Sequence, residues 1–229
     1  SGQAIASGDY STSIGYTSNA SGIMATAISR TTASGNNSTS MGYNTTASGD
    51  LSTATGLNTT ASDFNSFVIG RYNLLGSTVT NSATQFSTEN TAFVIGNGTG
   101  SDNRNDALVV KFSGDATLAG NLNINSDARL KANIVSLGAT LSKLLQIDGK
   151  SYTMKKDESE KQKIGLLAQD IEKVFPELVS ESHGVKSVNY QGLVPVLINA
   201  LKEQQAEINR LKTQEERLER LERLVAAMD

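Results

Sequence analysis

Within NINSDARLKANIVS, Asn123 to Ser136, a serine stands five residues ahead of a lysine. Ser126 carries a hydroxyl and Lys131 an amine, so the stretch holds a nucleophile and a candidate base. A serine hydroxyl attacks poorly until a base takes its proton, and a lysine amine is that base only when neutral. Desolvation favours the neutral amine, so such a pair is expected to become competent only once folding or assembly has excluded water. Ring size constrains the target. Ser126 Oγ reaches the carbonyl of Asn125 through a five-membered ring, whereas its own carbonyl would demand a strained four-membered one. Within one chain Asn125–Ser126 is the favoured bond; attack from another protomer or by water would open Ser126–Asp127 instead. Taken alone, SxxxxK is a common spacing that fits surface or capping residues, and Asp127 suits a turn cap. His183, the one histidine, lies in ESHGV and reads as a turn residue, with help in proton transfer as the sharper alternative. The sequence names no oxyanion donor.

The elements around this stretch differ sharply on its two sides. Residues 1–125 carry four basic and seven acidic side chains, whereas residues 126–229 carry sixteen of each. These are two physically different objects meeting at Ser126. Across all 229 residues there is no cysteine, which removes disulfides and thiolate metal sites as sources of stability. Packing or assembly must supply it, and no cofactor or metal is expected. A net charge of -3 offers no general attraction to nucleic acid or acidic membrane. No apolar run approaches the roughly 20 residues that span a bilayer, and SGQAIASGDYSTS lacks the basic and apolar regions of a leader. The expectation is a soluble fragment of something longer.

The first object is a repeat. ASGDYSTSIGYTSN from Ala6, ASGIMATAISRTT from Ala20, ASGNNSTSMGYNTT from Ala33, ASGDLSTATGLNTT from Ala47 and ASDFNSFVIGRYNL from Ala61 start 14, 13, 14 and 14 residues apart. The first four have a glycine turn before a short alternating stretch, and all but the second carry a glycine after that stretch. The spacing predicts two short strands per unit, stacked coil upon coil because a unit this small cannot bury a core alone. Apolar content is thin, so association of several chains should add burial. These units resemble the head repeats of trimeric autotransporter adhesins, the left-handed parallel β-roll type, over Ala6 to Asn73; the second unit departs, with ISR where a glycine is expected. The resemblance implies a homotrimer. FVIG recurs at Phe93, echoing Phe67, and RNDALVVKFSGDATLAGNLNIN reads as short strands of a stalk similar to the intertwined trimeric β-structure of phage fibres. The expected organisation is β-roll repeats over 1–75, a β-stalk or connector over 76–125, and a mixed α+β domain over 126–229.

In that last domain, SLGATLSKLLQI predicts a helix with Leu137, Leu141, Leu144 and Leu145 on one face. KSYTM predicts a strand, KKDESEKQK a solvated loop, IGLLAQDIEKVFPELV a strand end and a helix stopped near Pro176, and VKSVNY a further strand. A long helix is expected over 191–229. Leu197, Leu201, Ile208, Leu211, Leu218, Leu221 and Val225 keep mostly coiled-coil spacing, with Gln204 and Gln214 at or near the seam and Glu215 where an apolar residue belongs. SDARLKANI, IGLLAQDIEKVFPELV and VNYQGLVPVLINALKEQ, in this order, strongly resemble the C-terminal intramolecular chaperone auto-processing domain of phage tailspikes, endosialidases and neck or tail fibres, a domain also found in a membrane-bound eukaryotic transcription factor.

That resemblance implies a trimer, closed by a three-helix bundle, that guides folding of the β-structure before it and is then released by self-cleavage. It makes Ser126 the nucleophile and Lys131 the general base of a serine-lysine dyad. The other residues matching its motif, Gln169, Asp170 and Glu177, read as helix and interface contacts, and Arg129 as partner to a carboxylate across the trimer or as a solvated arginine. The implied setting is a virion tail fibre or spike whose partners are its own copies and, through the N-terminal part, a host surface receptor or glycan. The alternative is a non-cleaving trimerisation domain of an adhesin or receptor-binding fibre. A glycosidase would need paired carboxylates, and Asp9, Asp50, Asp63, Glu89, Asp102, Asp106 and Asp115 are scattered, the first three at repeat positions.

Overall fold

The computed structural model describes residues 2–76, 82–155 and 160–227. The chain forms two compact units, one of Ser1–Asn125 with Met154–Lys161, the other of Ser126–Thr153 with Gln162–Asp229.

In the first unit each repeat makes one coil. The strands are β1 (Ile5–Ala6), β2 (Thr12–Ile14), β3 (Asn19–Ala20), β4 (Thr26–Ala33), β5 (Thr39–Ala47), β6 (Thr53–Leu57), β7 (Thr60–Ala61) and β8 (Phe67–Arg71). Coils pair in parallel and in register: Ala6, Ala20, Ala33, Ala47 and Ala61 form one ladder, and Thr12, Thr26, Thr39 and Thr53 another. The interior is too narrow for large side chains. It is filled by Ala20, Ala27, Ala33, Ala47, Ala54 and Ala61 with Ser18, Ser38, Ser40, Ser52, Thr45 and Thr59, some of whose hydroxyls bond one another, as between Ser40 Oγ and Thr45 Oγ1 at 2.7 Å. The glycine of each ASG is dictated by the next coil. A Cβ on Gly35 would lie 2.1 Å from the carbonyl oxygen of Gly49.

The fifth repeat has Asp63 in that place. Its side chain ties the following strand to the stack, Oδ2 accepting from the backbone N–H of Thr91 at 2.8 Å. Asn73 closes the other ladder: its Oδ1 accepts from Thr60 N at 2.8 Å and its Nδ2 donates to Thr60 O at 3.0 Å, as a neighbouring strand would. The FVIG echo is one more coil. In β9 (Thr91–Asn97), Phe93, Val94, Ile95 and Gly96 pair in parallel with Phe67, Val68, Ile69 and Gly70, and the two phenylalanine rings stack at 5.8 Å. Antiparallel β10 (Asp106–Lys111) and β11 (Ala116–Leu118) extend the same sheet.

The irregular second repeat is accommodated locally. Ser29, standing where its neighbours have glycine, takes φ 77° opposite Gly42. The missing residue is the corner one: Thr17, Asn44 and Asn58 all have φ of 52–54°, and β4 passes directly from Arg30 to Thr31 while β5 skips Asn44 between their partners Tyr43 and Thr45.

The second unit packs short elements on one helix. They are α1 (Leu141–Leu144), the antiparallel pair β12 (Lys150–Tyr152) and β13 (Lys163–Gly165), α2 (Ala168–Val174), the hairpin β14 (Val179–Ser182) and β15 (Val185–Val188), and α3 (Leu193–Ala226). Ile171, Phe175 and Val196 form the core, with Leu144, Ile147, Leu166 and Val188 against it. Pro176 ends α2 because the residue before a proline is driven from helical backbone, and Phe175 sits at φ -138°, ψ 68°.

The helix expected over SLGATLSKLLQI is only one turn. Gly138, at φ 65°, breaks it in front, and Leu137 and Leu145 are exposed. That turn is fastened instead to α3, where Glu203 accepts from Leu141 N at 3.2 Å and the Val196 carbonyl accepts from Thr140 Oγ1 at 2.9 Å. A 3-10 turn at Tyr190–Gly192 precedes α3, so the long helix begins two residues later than 191; residues 228–229 lie outside the described chain, as do 156–159 of the expected solvated loop. Beyond Ala200 the residues of α3 are exposed apart from the half-buried Glu203, including Leu201, Leu211, Leu218 and Leu221.

Candidate active site

The candidate site is built by one tight turn. Asp127 caps a 3-10 turn over Ala128–Leu130, its Oδ1 accepting from Arg129 N at 2.9 Å, and Lys131 N closes the turn on the Ala128 carbonyl at 3.1 Å. Three residues per turn bring the chain back on itself. Lys131 Nζ consequently lies 2.7 Å from Ser126 Oγ.

Arg129 locks the same turn from outside. Its Nε donates to both Asp127 carboxylate oxygens at 3.1 Å, and its Nη2 donates to Oδ2 at 2.6 Å. The guanidinium, and then the backbone N–H of Arg129, hold the Asp127 carboxyl below its usual range. Arg129 therefore pairs with a carboxylate two residues away in its own chain. This partner was not legible from spacing, since residues two apart chelate one another only across such a turn.

Residues 126–131 are solvent-exposed in the single chain. Lys131 here donates and Ser126 accepts, whereas proton abstraction requires the reverse, with the hydroxyl donating to a neutral amine. Ser126 and Lys131 are thus in contact, with the donor and acceptor roles opposite to those that proton abstraction needs.

Other candidates lie elsewhere. His183 occupies the tip of the β14–β15 hairpin at φ 51°, with Nδ1 2.9 Å from Ser182 Oγ. On α2, Asp170 accepts from Lys173 Nζ at 2.9 Å. Gln169 lines a cavity of about 280 Å³ with Leu166, Lys186 and Tyr190, and Glu177 lies in the 3-10 turn Pro176–Leu178. Tyr190 was not singled out in the sequence; its hydroxyl accepts from Leu166 N at 2.9 Å and pins β13. Several acidic residues of the first unit serve the scaffold rather than a shared groove. Asp50 accepts from Asn36 N at 2.7 Å, while the buried Asp63 and Asp106 accept from Thr91 N and Leu74 N. Among the described residues no group of histidine, cysteine, aspartate and glutamate is placed to hold a metal.

Comparison with known proteins matches both halves. The family model for the chaperone of endosialidase covers residues 126–180, beginning at Ser126 itself. The model for the YadA head domain repeat covers residues 6–28, 33–59 and 47–73, passing over the irregular stretch 29–32. A curated relative is the long tail fiber protein Gp37 of Salmonella phage S16, 32% identical over 114 residues, which are 45% of this chain and 15% of that protein. The chain is thus similar to the YadA head domain repeat in its first unit, to the chaperone of endosialidase from Ser126 onward, and to part of a phage long tail fibre protein.

Proposed function

We propose that residues 126–229 are an intramolecular chaperone that trimerises, guides folding of the roll (1–75) and connector (76–125), and is then released by self-cleavage. The observation carrying this reading is the 2.7 Å contact between Ser126 and Lys131 at the first residue of the domain.

Assembly exploits surfaces that one chain leaves uncovered. The apolar positions of α3 stand out in solvent along a helix of about 50 Å, and an isolated helix of that kind gains its stability from partners. On the roll, Ile14, Ile28 and Met41 stack in register on the outside, as do Ile69 and Ile95. In a homotrimer these ladders meet. Intertwined trimeric β-structure has high contact order, and three chains must meet in one register before such pairing stabilises anything, which makes unaided association slow. A helical bundle formed first raises the effective concentration of the β-forming segments.

Trimer packing around the turn would exclude water and favour the neutral amine of Lys131. Ser126 Oγ then attacks the Asn125 carbonyl carbon as its proton passes to Lys131. The tetrahedral intermediate collapses with cleavage of the C–N bond, and Lys131 returns the proton to the departing Ser126 amine. Water hydrolyses the resulting ester, leaving a carboxylate at Asn125 and a free hydroxyl at Ser126. The released fibre would act in a virion tail fibre or spike, facing a host receptor or glycan.

A non-cleaving trimerisation domain is the second reading, favoured by the exposure of the turn. Denaturing electrophoresis with intact-mass analysis separates the two. Wild-type protein is expected to yield fragments ending at Asn125 and starting at Ser126, with Ser126→Ala and Lys131→Ala each remaining at 24.2 kDa. An uncut wild-type trimer would eliminate the protease and leave the assembly role.

A further inference from the structure

The one coil that breaks the 14-residue period opens a notch in the side of the roll. Its volume is about 370 Å³, and its lining includes Thr17, Arg30, Thr32, Asn44 and Thr46. Thr17 and Asn44 are corner residues of the coils on either side, and the coil between them lacks the residue that would fill the space. No apolar side chain lines the notch. Whatever fills it must make hydrogen bonds on several sides.

Arg30 supplies the charge. It is the only basic residue among the first 70, and it stands at the irregular position. Its Nη1 donates to the Tyr43 hydroxyl at 2.8 Å, and its guanidinium lies over that ring at 5.1 Å. No ion pair with a carboxylate engages it among the described residues. Four of its five N–H donors are therefore without a described protein partner, on a guanidinium whose orientation is fixed by stacking. Tyr16, the matching residue of the preceding coil, is exposed beside Thr17.

We propose that this notch binds an acidic sugar residue, such as a uronic acid within a polysaccharide. The carboxylate would take paired donors from Arg30, the ring hydroxyls would bond the threonine and asparagine side chains, and the exposed tyrosines would offer an apolar ring face. The volume suits one or two sugar rings. This inference goes beyond the chaperone reading, and its test does not depend on cleavage.

D-Glucuronate and D-glucose differ at C6 alone, so ligand-observed NMR titration of the full chain with each isolates the carboxylate. Glucuronate is expected to bind at least about tenfold more tightly than glucose, and Arg30→Met to abolish that preference. The decisive variant inserts an asparagine between Arg30 and Thr31. It restores the 14-residue period and so is compatible with folding, which circular dichroism checks, but it fills the notch and should remove binding. Equal binding of the two sugars, absence of binding by the assembled wild-type protein, or survival of binding in the insertion variant would each overturn the proposal.

Discussion

Arg129 grips Asp127 through both its backbone N–H and its guanidinium, which makes the turn that returns Lys131 to Ser126 dependent on a carboxylate charge. The Asp127 carboxyl is held below its usual range by Arg129. The support it gives is complete above the ordinary carboxylate range, near 4, and is lost as pH falls through the lowered value. In Arg129→Ala the Asp127 titration, followed by carboxyl NMR, is expected to move up toward the ordinary value, and cleavage to slow. Identical Asp127 titrations in the two proteins would show that the clamp does not exist in solution. Asp106 behaves oppositely: burial raises its carboxyl, partly offset by the hydrogen bond from Leu74 N. Its charge therefore penalises the folded first unit at neutral pH, and the penalty disappears as pH falls through the raised value. Asp106→Asn retains an acceptor for Leu74 and should flatten this part of the stability profile in denaturant titrations at several pH values. The Ser126 and Lys131 pair was named by the family resemblance of SDARLKANI, the spacing alone being common, and one tight turn is what joins the two side chains. The Arg129 clamp and the tie from Glu203 to Leu141 were not legible, the first depending on turn conformation and the second spanning 62 residues.

At the level of elements, the coil pattern was readable down to its register, since identical residues a fixed distance apart can satisfy one another only when stacked. The ladder of Ala6, Ala20, Ala33, Ala47 and Ala61 is that prediction in atomic form. The helix expected over 136–147 is confined to Leu141–Leu144 because Gly138, with its positive φ, interrupts the segment that apolar spacing alone would make continuous. The β14 strand, VSES, shares only Val179 with the apolar end of the α2 motif, and pairing with β15 gives it its form. Two substitutions test the backbone logic of the roll. Ser29→Gly should stabilise it by about 1 kcal/mol, because a serine at φ 77° is strained where glycine is not. Gly35→Ala should prevent native stacking, since its Cβ would sit 2.1 Å from the Gly49 carbonyl oxygen. Both effects are read from chemical denaturation of the full chain, and an unchanged midpoint in either would contradict the stacking geometry.

For the molecule as a whole, the proposed cleavage separates the route of assembly from the assembled product. Uncut Ser126→Ala trimer, denatured and diluted, is expected to regain its β-structure in substantial yield, while cleaved wild-type protein does not once its C-terminal fragment is removed. Equal recovery of the two would mean that the domain gives no guidance. A different consequence follows from the aspartate that replaces glycine in the fifth repeat. No further ASG corner stacks above Asp63; its carboxylate bonds Thr91, at the start of β9, instead. The roll is therefore a ruler with an end mark. Genetic exchange that adds or removes whole units before Ala61 changes its length in steps of about 4.8 Å and leaves the terminating coil, and every residue that follows it, as they were.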